Sequence, residues 1–127
     1  MSKLCPCGSK KTYSNCCEPF HLGQATAQTA EALMRSRYSA YVLENETYLL
    51  KTWAKTTRPG QIPFEKGLVW TKLRVIKTQK GQATDTEGKV WFKAYYQQAD
   101  QKGVMSEKSF FIRDEQSQWV YVNGEVR

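Results

Sequence analysis

Apolar residues recur along this chain with two different periods, and the change of period separates a helical part from a strand part. Between residues 30 and 42 they fall three or four positions apart, which is the spacing of one buried helix face. Thr29 is a suitable N-cap for this helix, because its hydroxyl can accept a hydrogen bond from an amide in the first turn. The pattern predicts one long amphipathic helix whose inward positions are Ala30, Leu33, Met34, Tyr38, Tyr41 and Val42.

A second, shorter helix is predicted at residues 46–53, with Asn45 as its N-cap. The helical part ends at the Arg58-Pro59-Gly60 sequence, because Pro59 disfavours the helical conformation in the residue before it. Downstream, β-branched and aromatic residues alternate with polar ones, which is typical of half-buried strands. The predicted strands span residues 68–78, 89–98, 104–113 and 118–123, with turns at Gly81, 85–88, 100–103 and 114–117.

Four strands in this order favour an antiparallel meander. Packed on one long and one short helix, a curved sheet of this kind forms an α+β domain that wraps around the long helix. The chain of 127 residues has room for one such domain, predicted at residues 26–127, with residues 1–22 as an appendage. No apolar run approaches the ~20 residues of a membrane-spanning helix, and none of signal-peptide length follows Met1. We therefore expect a cytoplasmic protein without a membrane span.

The cysteines of the chain are confined to its N-terminal segment. They are Cys5, Cys7, Cys16 and Cys17. Four thiols that meet at one point supply the soft tetrahedral ligand set that zinc prefers, with no coordination position left for a substrate. Gly8 permits a tight reversal after the first pair, and Asn15 can adopt a left-handed conformation before the second. The spacing predicts one structural zinc ion held by these four cysteines.

Other roles are also compatible with cysteines at these positions. A disulfide framework suits a secreted chain better than one without a signal peptide. Cys16 and Cys17 can form a vicinal disulfide, so a regulatory thiol role is an alternative to zinc. His21 can replace one cysteine as a ligand, although a lone histidine just beyond a complete ligand set is more often a surface residue.

The chain is basic, with 19 lysines and arginines against 12 acidic residues and a formal net charge of +7. Lys3, Lys10 and Lys11 crowd the cysteines and can present a cationic face to phosphate or to an acidic protein surface. The same lysines can equally balance the charge of the thiolates. The remaining basic residues are scattered singly, so nucleic-acid binding is an alternative that the pattern does not favour.

Two parts of the chain resemble known sequences. Cys-Pro-Cys-Gly-Ser at residues 5–9, Tyr13 and the Cys16-Cys17 pair are similar to the SEC-C zinc motif, found at the end of the SecA translocation ATPase and in small bacterial proteins. Cys17 stands where SecA has a histidine. Further residues resemble the YchJ-like family of small bacterial SEC-C proteins. These are residues 33–41, Tyr48-Leu49-Leu50, Thr52-Trp53, Thr57-Arg58-Pro59, Glu107, Ser109, Phe110, Trp119, Tyr121 and Gly124.

The resemblance implies a nuclear transport factor 2-like cone, in which a curved sheet closed by helices surrounds a pocket. It implies no assigned biochemical activity. In SecA the motif serves protein interaction, which by analogy implies a protein or ribosome-associated partner that contacts the zinc motif. Ser106 stands where relatives often carry a histidine before the glutamate, so any role of that histidine is absent here.

The sequence offers seven candidates for residues of this pocket. They are Arg35, Arg37, Tyr38, Tyr41, Trp53, Arg58 and Glu107. The arginines and the glutamate can bind an anion or form an internal ion-pair network, and the network is favoured because embedded charges more often pair. The aromatic residues are interpreted as core rather than as a ligand cage, because their spacing already explains them.

A catalytic base is not evident within the predicted sheet. Asp85, Asp100 and Asp114 all fall in predicted turns, where an aspartate usually stabilises the turn through its own backbone. His21 precedes the long helix, so a nucleophile with a histidine base cannot be assembled in the cone. We therefore expect a non-catalytic, zinc-binding accessory protein. The alternative is a small-molecule-binding protein or an enzyme that uses the pocket.

Overall fold

The computed structural model of the protein describes residues 3–126. Met1 and Ser2, which belong to the predicted motif, and Arg127, which belongs to the predicted domain, lie outside the described residues. After a 3-10 turn at Tyr13–Asn15, the helices are α1 (Glu18–His21), α2 (Ala30–Val42) and α3 (Glu46–Lys51). The strands are β1 (Leu68–Lys80), β2 (Glu87–Gln98), β3 (Gln101–Arg113) and β4 (Trp119–Val126). No helix within this described range is both long and apolar enough to cross a bilayer.

Both predicted helix starts are confirmed by their caps. The amide of Ala32 donates to Thr29 Oγ1 at 3.1 Å, and the amide of Tyr48 donates to Asn45 Oδ1 at 3.1 Å. Helix α3 ends at Lys51, two residues earlier than expected. The reason is tertiary, because the carbonyl of Thr52 accepts a hydrogen bond at 2.8 Å from the amide of Tyr121 in β4.

The predicted antiparallel meander is confirmed, with the strands in the order β1-β2-β3-β4. The turn predicted at residues 100–103 is wrong in its extent, because Gln98 already pairs with Gln101 and only two residues connect the strands. Gly103 lies in the ladder opposite Tyr96, where an added Cβ would be 2.5 Å from the Tyr96 hydroxyl oxygen. This glycine therefore accommodates an aromatic side chain rather than a turn.

The sheet packs on α2, which contacts β1, β2 and β4. The main core lies between them and contains Leu33, Met34, Tyr38, Leu73, Val90, Phe92, Ala94, Phe111 and Trp119. Burial of each large apolar side chain stabilises the fold by about 1.5–3 kcal/mol. Ala30 fixes the start of α2 over the sheet, because its amide donates to the Gly81 carbonyl at 2.9 Å. One face of α2 therefore packs on the sheet. Other faces of the helix contact the N-terminal segment and α3.

Two of the turn aspartates behave as predicted. Asp85 Oδ2 accepts a hydrogen bond from the amide of Gln82 at 2.9 Å. Asp114 Oδ1 accepts from the amides of Gln116 and Gln118 at 2.8 and 3.0 Å. Both carboxylates therefore hold hairpin turns at the end of the sheet.

Candidate functional site

The N-terminal segment reverses direction between Leu4 and Thr12, which form an antiparallel bridge. Gly8 closes the turn after the first cysteine pair, with φ of 83° and its amide 3.3 Å from the Cys5 carbonyl. Such a positive φ is readily adopted by glycine because it lacks a Cβ. The turn brings Cys5 and Cys7 together, as the spacing of the cysteines predicts.

The second cysteine pair follows the 3-10 turn at Tyr13–Asn15, so Asn15 is not left-handed as expected. The left-handed residue is Lys10, with φ of 71°. The chain therefore reverses at residues 8–10 and then coils. Cys17 is the N-cap residue of α1.

The four cysteine sulfurs lie close enough to share one metal ion. Their Sγ atoms are all within 4.8 Å of one another, with Cys7 and Cys16 at 3.6 Å and Cys16 and Cys17 at 4.0 Å. Tetrahedral bonds of ~2.3 Å from zinc to sulfur require separations of about 3.8 Å. All four cysteines are free thiols, and Cys5, Cys7 and Cys17 are buried. The donor set therefore fits a closed tetrathiolate site.

Two serine hydroxyls contact these sulfurs. Ser9 Oγ is 3.1 Å from Cys16 Sγ, and Ser39 Oγ is 3.4 Å from both Cys5 Sγ and Cys17 Sγ. Hydrogen bonds from such groups orient metal ligands and stabilise their charge. The sequence analysis missed Ser39, because nothing in the sequence of α2 indicates that this fully buried residue faces the cysteines.

Electrostatics favour a cation at this site. The hydrogen bond between Cys17 and Cys7 lowers the pKa of Cys7 to about 4 and raises the pKa of Cys17. Burial raises the pKa of both thiols. Four thiolates so close together repel one another, so a divalent cation is needed for all four to be deprotonated.

The cysteine segment is docked on α2 rather than attached loosely to the domain. Arg35 Nη1 donates to the Cys7 carbonyl at 2.7 Å, while its Nε pairs with Glu31 at 3.0 Å. A Cβ added at Gly8 would lie 3.5 Å from the Leu73 carbonyl oxygen of β1. Arg35, a predicted pocket residue, therefore belongs to the junction between the cysteine segment and α2.

His21 is a structural link between the same two parts. Its Nε2 must donate to the Ser36 carbonyl at 2.8 Å, because a carbonyl only accepts, and its Nδ1 accepts from the Tyr13 hydroxyl at 2.6 Å. Burial lowers the pKa of His21, which favours the neutral ring. Both ring nitrogens are occupied, so His21 is neither a metal ligand in this structure nor a solvent-exposed residue.

Exposed lysines surround the cysteine segment. Lys3, Lys10 and Lys11 are all exposed, and none has a carboxylate within 4.0 Å among residues 3–126. Leu4, beside Lys3, is 64% exposed. We call these four residues the lysine-leucine surface. It combines positive charge with an unburied apolar side chain.

A second feature is a cavity of about 220 Å³ between α2 and the inner face of the sheet. Four predicted pocket residues line it, namely Arg37, Tyr38, Tyr41 and Glu107. Ser109 and Tyr121 also contribute polar groups, and the rest of the wall is apolar. The structure thus brings these residues from α2, β3 and β4 to one place.

Arg37 is almost fully buried, with 6% of the residue exposed. Its Nη1 donates to the Leu49 carbonyl at 2.8 Å and to Thr52 Oγ1 at 2.7 Å. The guanidinium carbon lies 5.0 Å from the ring centre of Trp53 and 4.6 Å from that of Tyr121, which are cation-π distances. Within the described chain, no carboxylate oxygen lies within 4.0 Å of it.

Glu107 is half-buried and points over the last strand. Its Oε2 accepts from Ser109 Oγ at 2.5 Å and from the Tyr121 hydroxyl at 3.4 Å. A Cβ added at Gly124 would lie 2.6 Å from Glu107 Cδ, so a side chain there would displace the carboxylate. Gly124 therefore makes room for Glu107.

The predicted ion-pair network among the arginines and Glu107 is wrong. Arg35 pairs with Glu31 one turn earlier in the same helix, which is the i, i+4 partner of a helical arginine. Arg58 is exposed and donates to the Trp53 carbonyl at 3.1 Å. Trp53 lies beside Arg37, outside the cavity wall, and its buried Nε1 has no partner among residues 3–126.

Two family models match the chain. One describes the SEC-C motif and matches residues 1–19, and the other describes the middle NTF2-like domain of YchJ and matches residues 29–124. A UPF0225 protein of Streptomyces coelicolor is 46% identical over 121 residues, covering 95% of this chain and 94% of the relative. A UPF0225 protein of Corynebacterium glutamicum is 43% identical over 126 residues, covering 99% of each.

Solved structures agree with the fold. The solution structure of a SEC-C motif containing protein from Rhodopseudomonas palustris has a TM-score of 0.83 and 28% identity, covering 100% of this chain and 99% of that one. The crystal structure of a SEC-C motif containing protein from Psychrobacter arcticus has a TM-score of 0.78 and 28% identity, covering 97% and 82%. The similarity therefore extends over both the cysteine segment and the α+β domain.

Proposed function

The chain belongs to the UPF0225, or YchJ-like, family of SEC-C motif proteins. We propose that it is a cytoplasmic, zinc-binding accessory protein. In this proposal Cys5, Cys7, Cys16 and Cys17 hold one structural zinc ion, and the motif around them contacts a protein or ribosome-associated partner. The observation that carries it is the convergence of four free thiols, three of them buried, within 4.8 Å.

Zinc is favoured over other metals by the chemistry of the ligands. An all-thiolate tetrahedral set suits zinc, and a site with four protein ligands has no open position for catalysis. When bound, the ion supplies a cross-link between the two cysteine pairs and neutralises part of their charge. The chain's own residues complete the site, because Ser9 and Ser39 contact three of the four sulfurs.

The lysine-leucine surface is the proposed contact region. Its lysines have no acidic partner among the described residues, and Leu4 is largely exposed beside them. The formal charge of +7 stays positive after four thiolates and one dication are counted, and the three positive lysines exceed the net −2 of a zinc tetrathiolate. Unpaired surface charges of one sign attract a partner of the opposite sign and confer salt dependence.

The test is affinity capture from native bacterial lysate with the zinc-loaded full chain as bait. We expect a partner to be captured by the wild type and lost with Cys16→Ser and with the double variant Lys10→Glu, Lys11→Glu. The matched control is Lys66→Glu, Lys102→Glu, which makes the same charge change at exposed positions beside the β2–β3 hairpin.

The outcomes separate the two parts of the proposal. Capture that is equally weakened by both double variants would indicate nonspecific attraction to a basic protein. Capture that persists in Lys10→Glu, Lys11→Glu at raised salt would refute the assignment of the contact surface. Thermal melts and zinc content of each variant show whether a loss of capture reflects loss of the fold.

A further inference from the structure

The cavity under α2 contains one positive and one negative side chain that do not pair with each other. Arg37 and Glu107 both line it, yet among residues 3–126 no carboxylate oxygen lies within 4.0 Å of the arginine. Buried charges in proteins are normally paired. Since both charges line a cavity of about 220 Å³, a ligand in that cavity can contact each of them.

Both charged side chains keep hydrogen-bonding capacity that the protein does not use. The bonds from Arg37 to Leu49 and Thr52 are both donated by Nη1, and a guanidinium has three further donors on Nε and Nη2, one of which serves the neighbouring Tyr41 hydroxyl. The bonds to Glu107 are both accepted by Oε2, which leaves Oε1. Within the described range, Trp53 Nε1 is the side-chain polar atom that is both inaccessible and without a hydrogen-bond partner. No atom of Arg37 or Glu107 is in this state, so any atom of theirs that lacks a partner is accessible from the cavity or from solvent.

The hydroxyl groups around them are neutral and can both donate and accept. Burial raises the pKa of Tyr38 to about 12 and also raises the pKa of Tyr41 and Tyr121. These phenols therefore stay protonated at neutral pH. Burial lowers the pKa of Arg37, and the negative charge of Glu107 acts in the opposite direction, so the arginine remains the cation of the site.

The remaining wall is apolar. It is formed by Met34, Trp70, Phe92, Ala94, Met105 and Phe111. The cavity of about 220 Å³ is several times larger than the ~30 Å³ that one water occupies in the liquid. Mostly apolar walls with a few convergent polar groups are typical of small-molecule sites. The apolar wall accommodates the body of a ligand, and the polar groups bind its head.

The balance of charge selects the head group. An anion would be attracted by Arg37 but repelled by Glu107. A cation would be attracted by Glu107 but repelled by Arg37. A neutral group with one acceptor and one donor satisfies both side chains without adding charge to a poorly solvated space. We propose that this cavity binds a small uncharged molecule with an apolar body and a head group, such as a carboxamide, that accepts from Arg37 and donates to Glu107.

Three probes of nearly equal shape test this: phenylacetamide, phenylacetate and phenethylammonium. Each is titrated by calorimetry into the zinc-loaded full chain, with tryptophan fluorescence as a second signal because Trp70 lines the cavity. We expect phenylacetamide to bind about tenfold more tightly than either ion, the value of one hydrogen bond to a charged group. Tighter binding of phenylacetate would overturn the proposal in favour of an anion site, and tighter binding of phenethylammonium would overturn it in favour of a cation site.

Variants connect the binding to this cavity. Glu107→Gln removes the repulsion of anions, so phenylacetate affinity should rise about tenfold relative to wild type, while Glu87→Gln, an exposed control, should change nothing. Ala94→Leu adds side-chain volume to the apolar wall and should abolish binding of all three probes, with a thermal melt to show that the variant is still folded at the titration temperature. Binding that survives Ala94→Leu, or no binding of any probe to the folded wild type, would refute the site.

Discussion

The four-cysteine site and the cavity lie against different faces of one helix, and they are built in opposite ways. The cysteine site takes its ligands from residues 5–17, and its sulfurs lie within 4.8 Å of one another. The cavity takes its charged groups from α2 and β3, and its arginine and glutamate are not paired. One site is closed by its own short segment, whereas the other depends on how the whole domain packs.

Helix α2 is the element that the two sites share. Arg35 and Ser39 contact the cysteine segment, while Met34, Arg37 and Tyr38 line the cavity. Successive residues of an α-helix are separated by about 100° around its axis, so Arg35 and Arg37 point in nearly opposite directions. The cysteine segment is therefore docked on the same helix that lines the cavity. Perturbations of the cysteine segment and of the cavity side of α2 should therefore have separable effects.

Removal of zinc should have the largest effect. Structural zinc in small motifs supplies on the order of 10–16 kcal/mol of local folding free energy, so a chelator should unfold residues 3–22. We expect their amide signals to collapse in ¹H–¹⁵N spectra while the signals of β1 to β4 persist, since the main core lies on the sheet side of α2.

Elemental analysis of protein purified without chelator provides the control and should show close to one zinc per chain. Iron in place of zinc, or a chain without metal whose N-terminal segment is still folded, would contradict the metal assignment. Cooperative loss of the whole spectrum would show that the cysteine segment and the sheet fold as one unit.

Truncation of Arg37 and truncation of Arg35 should lower the free energy of unfolding by amounts that differ severalfold. Arg37→Ala removes the hydrogen bonds that Nη1 donates to the Leu49 carbonyl and to Thr52 Oγ1 and enlarges the cavity, so we expect the free energy of unfolding to fall by about 3–5 kcal/mol. Arg35→Ala removes a side chain that is 28% exposed and should lower the free energy of unfolding by about 1 kcal/mol. Urea denaturation of the zinc-loaded variants measures both. Equal losses would mean that the two faces of α2 are equally important for stability.

The smallest effect concerns His21, the sole histidine of the chain. Burial lowers its pKa in the folded state below the ~6.5 of an unfolded chain. The neutral ring is therefore favoured by folding, and its contribution to stability is complete above about pH 6.5 and lost as the pH falls through the folded-state pKa.

Proton NMR of the imidazole, with zinc in excess, measures this pKa directly because one histidine gives one set of signals. The same residue in urea-unfolded protein is the control and should titrate near 6.5. A folded-state pKa at or above the unfolded value would mean that the contacts to Tyr13 and Ser36 do not exclude water from the ring.

The sequence by itself determined those features whose causes are local. Helix α2 and its Thr29 cap follow from apolar spacing and from one hydroxyl three residues before an amide. The strands follow from alternation, and the convergence of the cysteines follows because Gly8 reverses a chain of only a few residues. Interactions between residues close in sequence are limited to few conformations, so pattern and residue type are sufficient to predict them.

The tertiary structure decided the features that depend on contacts between residues far apart in the sequence. Arg35 and Arg37 are the same residue type two positions apart, yet one binds the Cys7 carbonyl and the other lines the cavity. The contact of Ser39 with the sulfurs and the early end of α3 against β4 likewise depend on distant partners. Such contacts follow from the rotation of α2 over the sheet and from the strand register. These are set by packing of the whole core, which no local pattern specifies.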